Sequence, residues 1–280
     1  MIRIGAVSYL NTRPLVFGME QGLGRDRIEL SYDVPAVLAD RMRREELDVA
    51  LMPLVALAEM PHLEIVPGLG IVTRGPSRSV LLLADRPLDA VRTVGLDPES
   101  RTSNALTRVL FDRVWRGTPE FHTAPHELGE ALDRFDAVVR IGDKALFEHA
   151  PGDVHVHDLG GVWTADTGMP FVFAAWFARP GVVDRELYKV LHASRREGSK
   201  MIPLIAEDYS WHGVRDPQLS RLYLERHIHF KLGNAEVRAM ELFFRSVARL
   251  GVIESVPEIR FALTRHTTCH ETAAGQGATG

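Results

Sequence analysis

The chain has 280 residues, of which 45% are hydrophobic and 25% are charged, and its 33 Lys and Arg residues against 37 Asp and Glu residues give a formal net charge of −4. These proportions are those of an average globular protein, and they exclude a disordered chain, a collagen-like repeat or a coiled coil for the protein as a whole. The balanced charge provides no basic surface for nucleic acid, and the single cysteine, Cys269, excludes an internal disulfide.

The N-terminal part alternates short strand-like runs with helical patterns, which predicts βαβ units around a mostly parallel sheet. The predicted strands and helices up to residue 84 are strands at 2–7, 28–34, 48–52, 65–73 and 79–84 and helices at 14–21, 35–44 and 53–59. No signal-peptide core follows the first strand, and no apolar run approaches the roughly 18 residues of a membrane helix. We therefore expect a cytoplasmic protein that starts near Met1.

A second set of alternating elements follows in the middle of the chain. Its predicted members are strands at 91–96, near Phe121 and at 137–141, and helices at 102–115, 126–132 and 144–149. The aromatic-rich run 171–178 is typical of a buried strand, residues 184–250 have a helical pattern, and residues 264–280 have the composition of a disordered tail.

The return to helices after a complete second set predicts two lobes of unequal continuity. At about 150 residues per domain, the length agrees with two domains or one large one. We expect a discontinuous α/β lobe 1 from residues 1–86 and 180–263 and an inserted α/β lobe 2 from residues 87–179, with residues 264–280 as the tail. The cleft between such lobes is where a small ligand is expected to bind.

Four polar clusters directly follow or precede predicted strands, where open α/β sheets bind ligands. The cluster at 8–14 either caps the next helix through Asn11 or Thr12 or binds a carboxylate with its exposed N–H groups. The cluster at 100–104 offers hydroxyl and amide groups at a helix start, which is more than capping needs. Arg101 in this cluster either binds an anion or pairs with a surface acid.

The other two clusters are 77–79, at a turn into a strand, and 142–144, at a strand-to-helix junction. Turn formation explains the first as well as a hydroxyl that faces the cleft does, and Asp143 either caps its helix or handles a proton. The chain has no glycine-rich phosphate loop and no nucleophile elbow, and its histidine pairs lack a third zinc ligand. We expect no covalent catalysis, no metal and no other cofactor.

Together, six motifs resemble those of the chorismate dehydratases, which begin the futalosine route to menaquinone. They are residues 7–15, 48–53, 77–83, 96–103, 141–146 and 158–173. The likeness covers about residues 1–255, and Met169, where the family more often has leucine, is a conservative apolar exchange.

The resemblance implies an α/β fold like the type 2 periplasmic binding proteins, in which two lobes close on a ligand. Two crossing strands would join the lobes, near residues 84–88 and 177–181. The implied reaction removes water from chorismate to give 3-[(1-carboxyvinyl)oxy]benzoate, driven by aromatisation and without a metal or redox cofactor. The sister enzyme, 1,4-dihydroxy-6-naphthoate synthase, shares the fold but differs in its N-terminal run.

From this likeness we hypothesise a site that holds the two carboxylates of chorismate. One carboxylate would bind at a helix start, with further contacts from neighbouring loops; the substrate-binding residues would be Ser79, Ser100, Arg101, Thr102, Ser103, Thr167 and Gly168. Asn11 would lie beside the reacting carbons, and either a substrate carboxylate oriented by Asn11 or Asp143 would act as the general base.

Two other functions compete with this hypothesis. One is a cytoplasmic solute-binding protein for small carboxylates, since fold does not fix function. The other is the sister naphthoate synthase, which the N-terminal run disfavours. An effector domain of a transcription factor would need a helix-turn-helix module, and the strand at residue 2 leaves no room for one upstream. The small-molecule partner is expected to be chorismate, with no nucleic acid and no membrane.

Overall fold

The structure, a computed structural model, describes residues 1–263, so the predicted tail at 264–280 lies outside the described residues. The first of its two five-stranded sheets has the strand order β2-β1-β3-β10-β4. Its strands are β1 (Ile2–Val7), β2 (Ile28–Asp33), β3 (Val49–Pro53), β4 (Glu64–Thr73) and β10 (Phe171–Ala178). Helices α1 (Arg13–Glu20), α2 (Pro35–Arg43) and α3 (Ala56–Glu59) connect the first four strands.

The second sheet has the order β7-β6-β8-β5-β9. Its strands are β5 (Val80–Ala84), β6 (Thr93–Leu96), β7 (Glu120–Thr123), β8 (Ala137–Ile141) and β9 (His155–Asp158). The helices between them are α4 (Arg101–Leu110), which continues as a π-helical turn through Trp115, α5 (Leu128–Arg134), α6 (Gly142–Phe147) and α7 (Leu159–Thr167).

In each sheet four of the five strands run in one direction and a single strand runs against them, so the prediction of a mostly parallel sheet is confirmed. Strands β1, β2 and β3 pair in parallel, whereas β10 runs antiparallel to both β3 and β4. In the second sheet β6 is parallel to β7 and β8, whereas β5 is antiparallel to β8 and β9. The reversed strands, β5 and β10, each directly follow a crossing between the sheets, where the chain enters the new sheet without a βαβ connection.

The crossings lie elsewhere than predicted. Strand β5 belongs to the second sheet and β10 to the first, so the chain crosses at residues 74–79 and 168–170 rather than at 84–88 and 177–181. The predicted lobe boundaries at residues 86 and 179 therefore both fall too late. The apolar pattern predicts that a run is a strand. Strand β5 pairs with β8 and β9, which come later in the chain, and no local pattern predicts this pairing.

The C-terminal part of the described chain is helical. Its helices are α8 (Arg185–Lys200), α9 (Ile202–Asp208), α10 (Pro217–Leu222), which continues as a π-helical turn over Tyr223–His227, and α11 (Asn234–Arg249). Helix α8 packs against α1, where the Ser194 hydroxyl donates to the Leu15 carbonyl at 2.9 Å and accepts from the Met19 N–H at 3.2 Å. Among residues 1–263, no helix is both long and apolar enough to cross a membrane.

The apolar core continues from one sheet to the other. The fully buried Trp163 of α7 packs edge-on against Phe171 of β10, with ring centroids 5.2 Å apart, and Phe243 of α11 contacts both rings. The Trp163 indole N–H donates to the Pro170 carbonyl at 3.0 Å. This packing fixes the second crossing against the core and leaves the cleft at the carboxyl ends of β1, β3, β6 and β8.

Candidate functional site

A cavity of about 580 Å³, measured with its open mouth, lies between the two sheets. The side of the first sheet is mainly apolar and comprises Val7, Pro35, Pro53, Ile71, Phe173 and Ala174. The side of the second sheet is mainly polar and includes Ser79, Glu99, Ser100, Thr102 and Ser103. A ligand with an apolar ring and acidic substituents matches this division.

Asn11 reaches the cavity from a single 3₁₀ turn, Leu10–Thr12, between β1 and α1. The predicted capping of α1 by Asn11 or Thr12 is not made, because neither side chain accepts a hydrogen bond from the first turn. Pro14 occupies that turn and has no N–H to cap. Instead, the Asn11 side-chain nitrogen donates to the Tyr223 hydroxyl at 3.1 Å, and its oxygen accepts a long bond of 3.5 Å from the Thr12 hydroxyl.

Ser79 faces Asn11 from the second sheet, at the start of β5. The fully buried Tyr223 donates its hydroxyl hydrogen to the Ser79 Oγ at 2.7 Å. Within the cluster 77–79, Ser79 lines the cavity and Ser77 forms the turn. The Ser77 hydroxyl contacts the Asp158 carboxylate and accepts from the Val80 N–H at 3.1 Å. Tyr223 was missed in the sequence because it looks like one apolar position of a helical pattern.

The start of α4 forms the polar end of the cavity. Ser100 is the N-cap, and its hydroxyl accepts from the Ser103 N–H at 3.2 Å. The Thr102 hydroxyl accepts from the Val55 N–H at 3.1 Å, a bond that joins the two sides of the cavity. Other N–H groups in the first turn of a helix have no partner within the helix and favour an anion.

The hydroxyls of Ser79, Ser100 and Thr102 share one feature. Each accepts a hydrogen bond from the protein, so its single hydrogen remains available to a ligand. Among the described residues that line the cavity, none is Lys, Arg or His. An anion bound here is therefore held by neutral donors and the helix dipole rather than by an ion pair.

Glu99 is an acid that lines the cavity beside these donors, and the charge of its carboxylate is balanced by neighbouring groups. The Tyr9 hydroxyl donates to it at 2.8 Å, and the Lys144 ammonium lies 3.2 Å from Glu99 and 3.1 Å from Asp97. Burial alone would raise the pKa of Glu99, but the Tyr9 hydrogen bond and the Lys144 charge hold the pKa below its ordinary value. Tyr9 and Glu99 were also missed as lining residues, although both lie inside clusters that the sequence singles out.

Comparison with known proteins assigns the chain to a family. A family described as menaquinone biosynthesis matches residues 2–249. The chain belongs to this menaquinone biosynthesis family. It is 28% identical over 222 residues to a chorismate dehydratase of Thermus thermophilus, covering 73% of this chain and 80% of that protein. It is 26% identical over 254 residues to a chorismate dehydratase of Campylobacter jejuni, covering 89% of this chain and 98% of that protein.

Solved structures agree on the fold of this family member. A protein of Archaeoglobus fulgidus matches with a TM-score of 0.70 and 15% identity, over 90% of this chain and 98% of that one. A Candida albicans protein described as having the generic periplasmic binding protein fold matches with a TM-score of 0.58 and 12% identity, over 90% of both chains. The predicted α/β fold like the periplasmic binding proteins is confirmed.

Arg101 of this family member does not line the cavity, and its contact with the ligand stays a prediction. Its guanidinium pairs with the Glu59 carboxylate and lies 4.0 Å from Asp40, and the side chain is one-third exposed. The alternative that it pairs with a surface acid is what the structure contains, because α4 turns its first residue toward α2 and α3.

Thr167 and Gly168 are likewise outside the cavity, and their contact with the ligand stays a prediction. The Thr167 hydroxyl donates to the Trp163 carbonyl at 2.8 Å and accepts from the Met169 N–H at 3.1 Å. Gly168, with a φ of 68°, ends α7 in the left-handed conformation. Both residues terminate a helix whose tryptophan belongs to the core.

Asp143 is buried behind the turn that carries Asn11. Its carboxylate accepts from the Leu10 N–H at 3.1 Å and from the Tyr209 hydroxyl, and it does not cap α6. Burial raises the pKa of Asp143 to about 6, although both hydrogen bonds act against this rise. Asp143 does not line the main cavity; its hydrogen bonds make it a support for the turn, and its catalytic role stays a prediction.

Proposed function

We propose that the protein is a chorismate dehydratase, a carbon–oxygen lyase that removes water from chorismate. The observation that carries the proposal is the set of free hydroxyl donors at the start of α4 and at Ser79, opposite Asn11. The family gives the setting, since the chain belongs to menaquinone biosynthesis and two of its relatives are named chorismate dehydratases.

Chorismate fits the two different sides of the cavity. It carries one carboxylate on its ring and another on the enolpyruvyl ether, and a hydroxyl on the ring carbon next to the ether. The reaction breaks the bond between that carbon and its hydroxyl, and the neighbouring ring C–H loses its proton to a base. The products are water and 3-[(1-carboxyvinyl)oxy]benzoate, and the gain of aromaticity drives the elimination.

In this proposal, the start of α4 binds one carboxylate through Ser100, Thr102 and Ser103. The apolar side packs on the ring, and Asn11 and Ser79 face the reacting carbons from opposite sides of the cavity. Most lining residues are buried, which excludes water from the reacting atoms and fixes one geometry for elimination.

A carboxylate of the substrate is the general base in this proposal, with Asn11 as the group that orients it. The cavity lining contains no described histidine, and the Glu99 carboxylate is bound by Tyr9 and Lys144. The Asp143 carboxylate accepts two hydrogen bonds from the Leu10 N–H and Tyr209, which makes it a supporting group.

The test is to incubate the pure protein with chorismate and to follow the product by its aromatic absorbance and its mass. We expect one molecule of 3-[(1-carboxyvinyl)oxy]benzoate per molecule of chorismate consumed, over many turnovers of the protein, without an added metal or redox cofactor. A stable complex that returns unchanged chorismate would refute the enzyme and favour the solute-binding protein. A cytoplasmic location stays a prediction, which cell fractionation would check.

A further inference from the structure

Tyr223 is the least expected polar group at the cavity. It begins the π-helical turn Tyr223–His227 in the C-terminal part of the chain, more than 140 residues from the strands that surround its hydroxyl. Its side chain is 1% exposed, and its oxygen contacts Asn11 at 3.1 Å and Ser79 at 2.7 Å. One buried phenol thus joins the two residues that face each other across the cavity.

The chemistry of the three groups fixes the direction of both hydrogen bonds. The amide nitrogen of Asn11 can only donate, so the Tyr223 oxygen accepts there. The one phenolic hydrogen then goes to the Ser79 Oγ, and burial raises the pKa of Tyr223, which keeps that hydrogen in place. The hydroxyl hydrogen of Ser79 is consequently left for the contents of the cavity, and the amide oxygen of Asn11, which accepts a long bond of 3.5 Å from the Thr12 hydroxyl, keeps a second lone pair for them.

The surrounding backbone holds Tyr223 against the crossing segment. The ring nitrogen Nδ1 of His227 lies 3.0 Å from the Pro76 carbonyl, and the backbone groups of His229 and Val72 exchange hydrogen bonds of 2.8 and 2.9 Å. Residues 72–79 and 223–229 are therefore fixed to each other along their length. A side chain at position 223 that only filled the core would not need a hydroxyl, whereas the Tyr223 hydroxyl makes two hydrogen bonds.

We infer that Tyr223 is a positioning residue for the elimination: its hydroxyl sets Ser79 as a donor and Asn11 as an acceptor toward the ring of the substrate. This inference rests on the proposed function, because it takes chorismate as the molecule between the two groups. Tyr223 does not touch the substrate, so its effect on turnover passes through Ser79 and Asn11.

The decisive variants are Tyr223→Phe, Ser79→Ala and the double variant, with Tyr32→Phe as the matched control. The Tyr32 hydroxyl donates to Glu20 and is not part of the cavity lining. We expect Tyr223→Phe to lower kcat for chorismate by about 10- to 100-fold through loss of orientation, with KM within about threefold of the wild type. The control variant should keep the wild-type kcat.

Coupling separates positioning from a general structural role. If part of the effect of Tyr223 passes through Ser79, the loss in the double variant is smaller than the product of the two single losses, whereas independent structural damage multiplies them. An unchanged kcat in Tyr223→Phe, or losses that multiply, would overturn the inference.

Crystal structures of the wild type and Tyr223→Phe give a readout that does not depend on turnover. We expect Ser79 or the Asn11 amide to adopt a different rotamer in the variant, and unchanged positions of both would overturn the inference. If the wild-type protein leaves chorismate unchanged, the proposed function fails, and this comparison of rotamers alone decides the role of Tyr223.

Discussion

Helices α4 and α6 begin at the carboxyl ends of neighbouring strands, β6 and β8, and both starts face the first sheet. At the start of α4, the hydroxyls of Ser100 and Thr102 satisfy N–H groups and keep a hydrogen for a ligand. At the start of α6, Asp143 directs a carboxylate at the Leu10 N–H and Tyr209. The difference follows from charge.

A neutral hydroxyl can share its hydrogen bonds between the protein and a ligand at little cost. A buried carboxylate must be satisfied by the protein itself, since an unpaired charge in the interior is expensive. Two polar clusters of similar appearance in the sequence therefore differ in structure: one leaves hydroxyl donors open to the cavity and the other holds the turn with Asn11 in place.

The largest effect on turnover is expected at Asn11, which lines the cavity and lies on the turn that Asp143 supports. We expect Asn11→Ala to lower kcat/KM for chorismate by at least about 100-fold, because the group that orients the proton transfer is removed. Steady-state kinetics measure the change, and Asn234→Ala, at the start of α11, is the matched control. Full turnover by Asn11→Ala would contradict its assignment.

The support at α6 predicts a pH dependence of stability. Because the pKa of Asp143 is raised from 3.8 to about 6, the folded state holds this proton more tightly than the unfolded state does. The free energy of unfolding therefore falls as the pH rises from about 4 to about 6, by about 3 kcal/mol for this group, and is constant above that.

Urea titrations at several pH values measure this dependence as the difference between the wild type and Asp143→Asn. The matched control is Asp184→Asn, since the hydrogen bond from Arg27 lowers the pKa of Asp184 and gives a dependence of the opposite sign. An identical pH slope in the wild type and Asp143→Asn would contradict the buried position of Asp143.

At α4, the variant Thr102→Val removes one donor from the cavity. We expect KM for chorismate to rise about tenfold, the equivalent of about 1.4 kcal/mol. Stability should fall by about 1–3 kcal/mol because the buried Val55 N–H loses its partner. Thr107→Val on the same helix is the control, since its hydroxyl bonds the Ser103 carbonyl away from the cavity. It should lose stability and keep its KM.

The smallest effect is expected from Arg101→Ala. Its guanidinium pairs with Glu59 at the surface, so removal should change KM by less than about twofold and stability by at most about 1 kcal/mol. Kinetics and thermal unfolding measure both quantities. A tenfold rise in KM would restore Arg101 as a carboxylate ligand and remove the distinction between neutral donors and ion pairs on which the comparison depends.

Local patterns in the sequence predict most elements well. The strands at 137–141 and 171–178 have the predicted bounds, because an apolar run between turn residues indicates a strand and both of its ends. The sheet that each strand joins depends on partners far along the chain, and the crossings were placed wrongly for that reason. The candidate site divides in the same way.

Clusters at the ends of strands contain Asn11, Ser79 and the hydroxyls of α4, all of which line the cavity, and their roles in binding and catalysis stay predictions. Sequence could not tell that Arg101 turns to Glu59, because another helix supplies that acid. It could not find Tyr223 either, since its partners come from two distant strand ends.

The contact between α1 and α8 restricts how this protein can be engineered. A Cβ atom at Gly198 would lie 2.1 Å from the carbonyl oxygen of Pro14, in the first turn after Asn11. Replacing a helical glycine with alanine ordinarily gains about 0.5–1 kcal/mol, which makes such positions favoured targets for thermostabilisation. At Gly198 the same methyl group would push α1 away from α8 and move the turn with it, so a routine stabilising change would misalign the Asn11 amide from the far side of a helix.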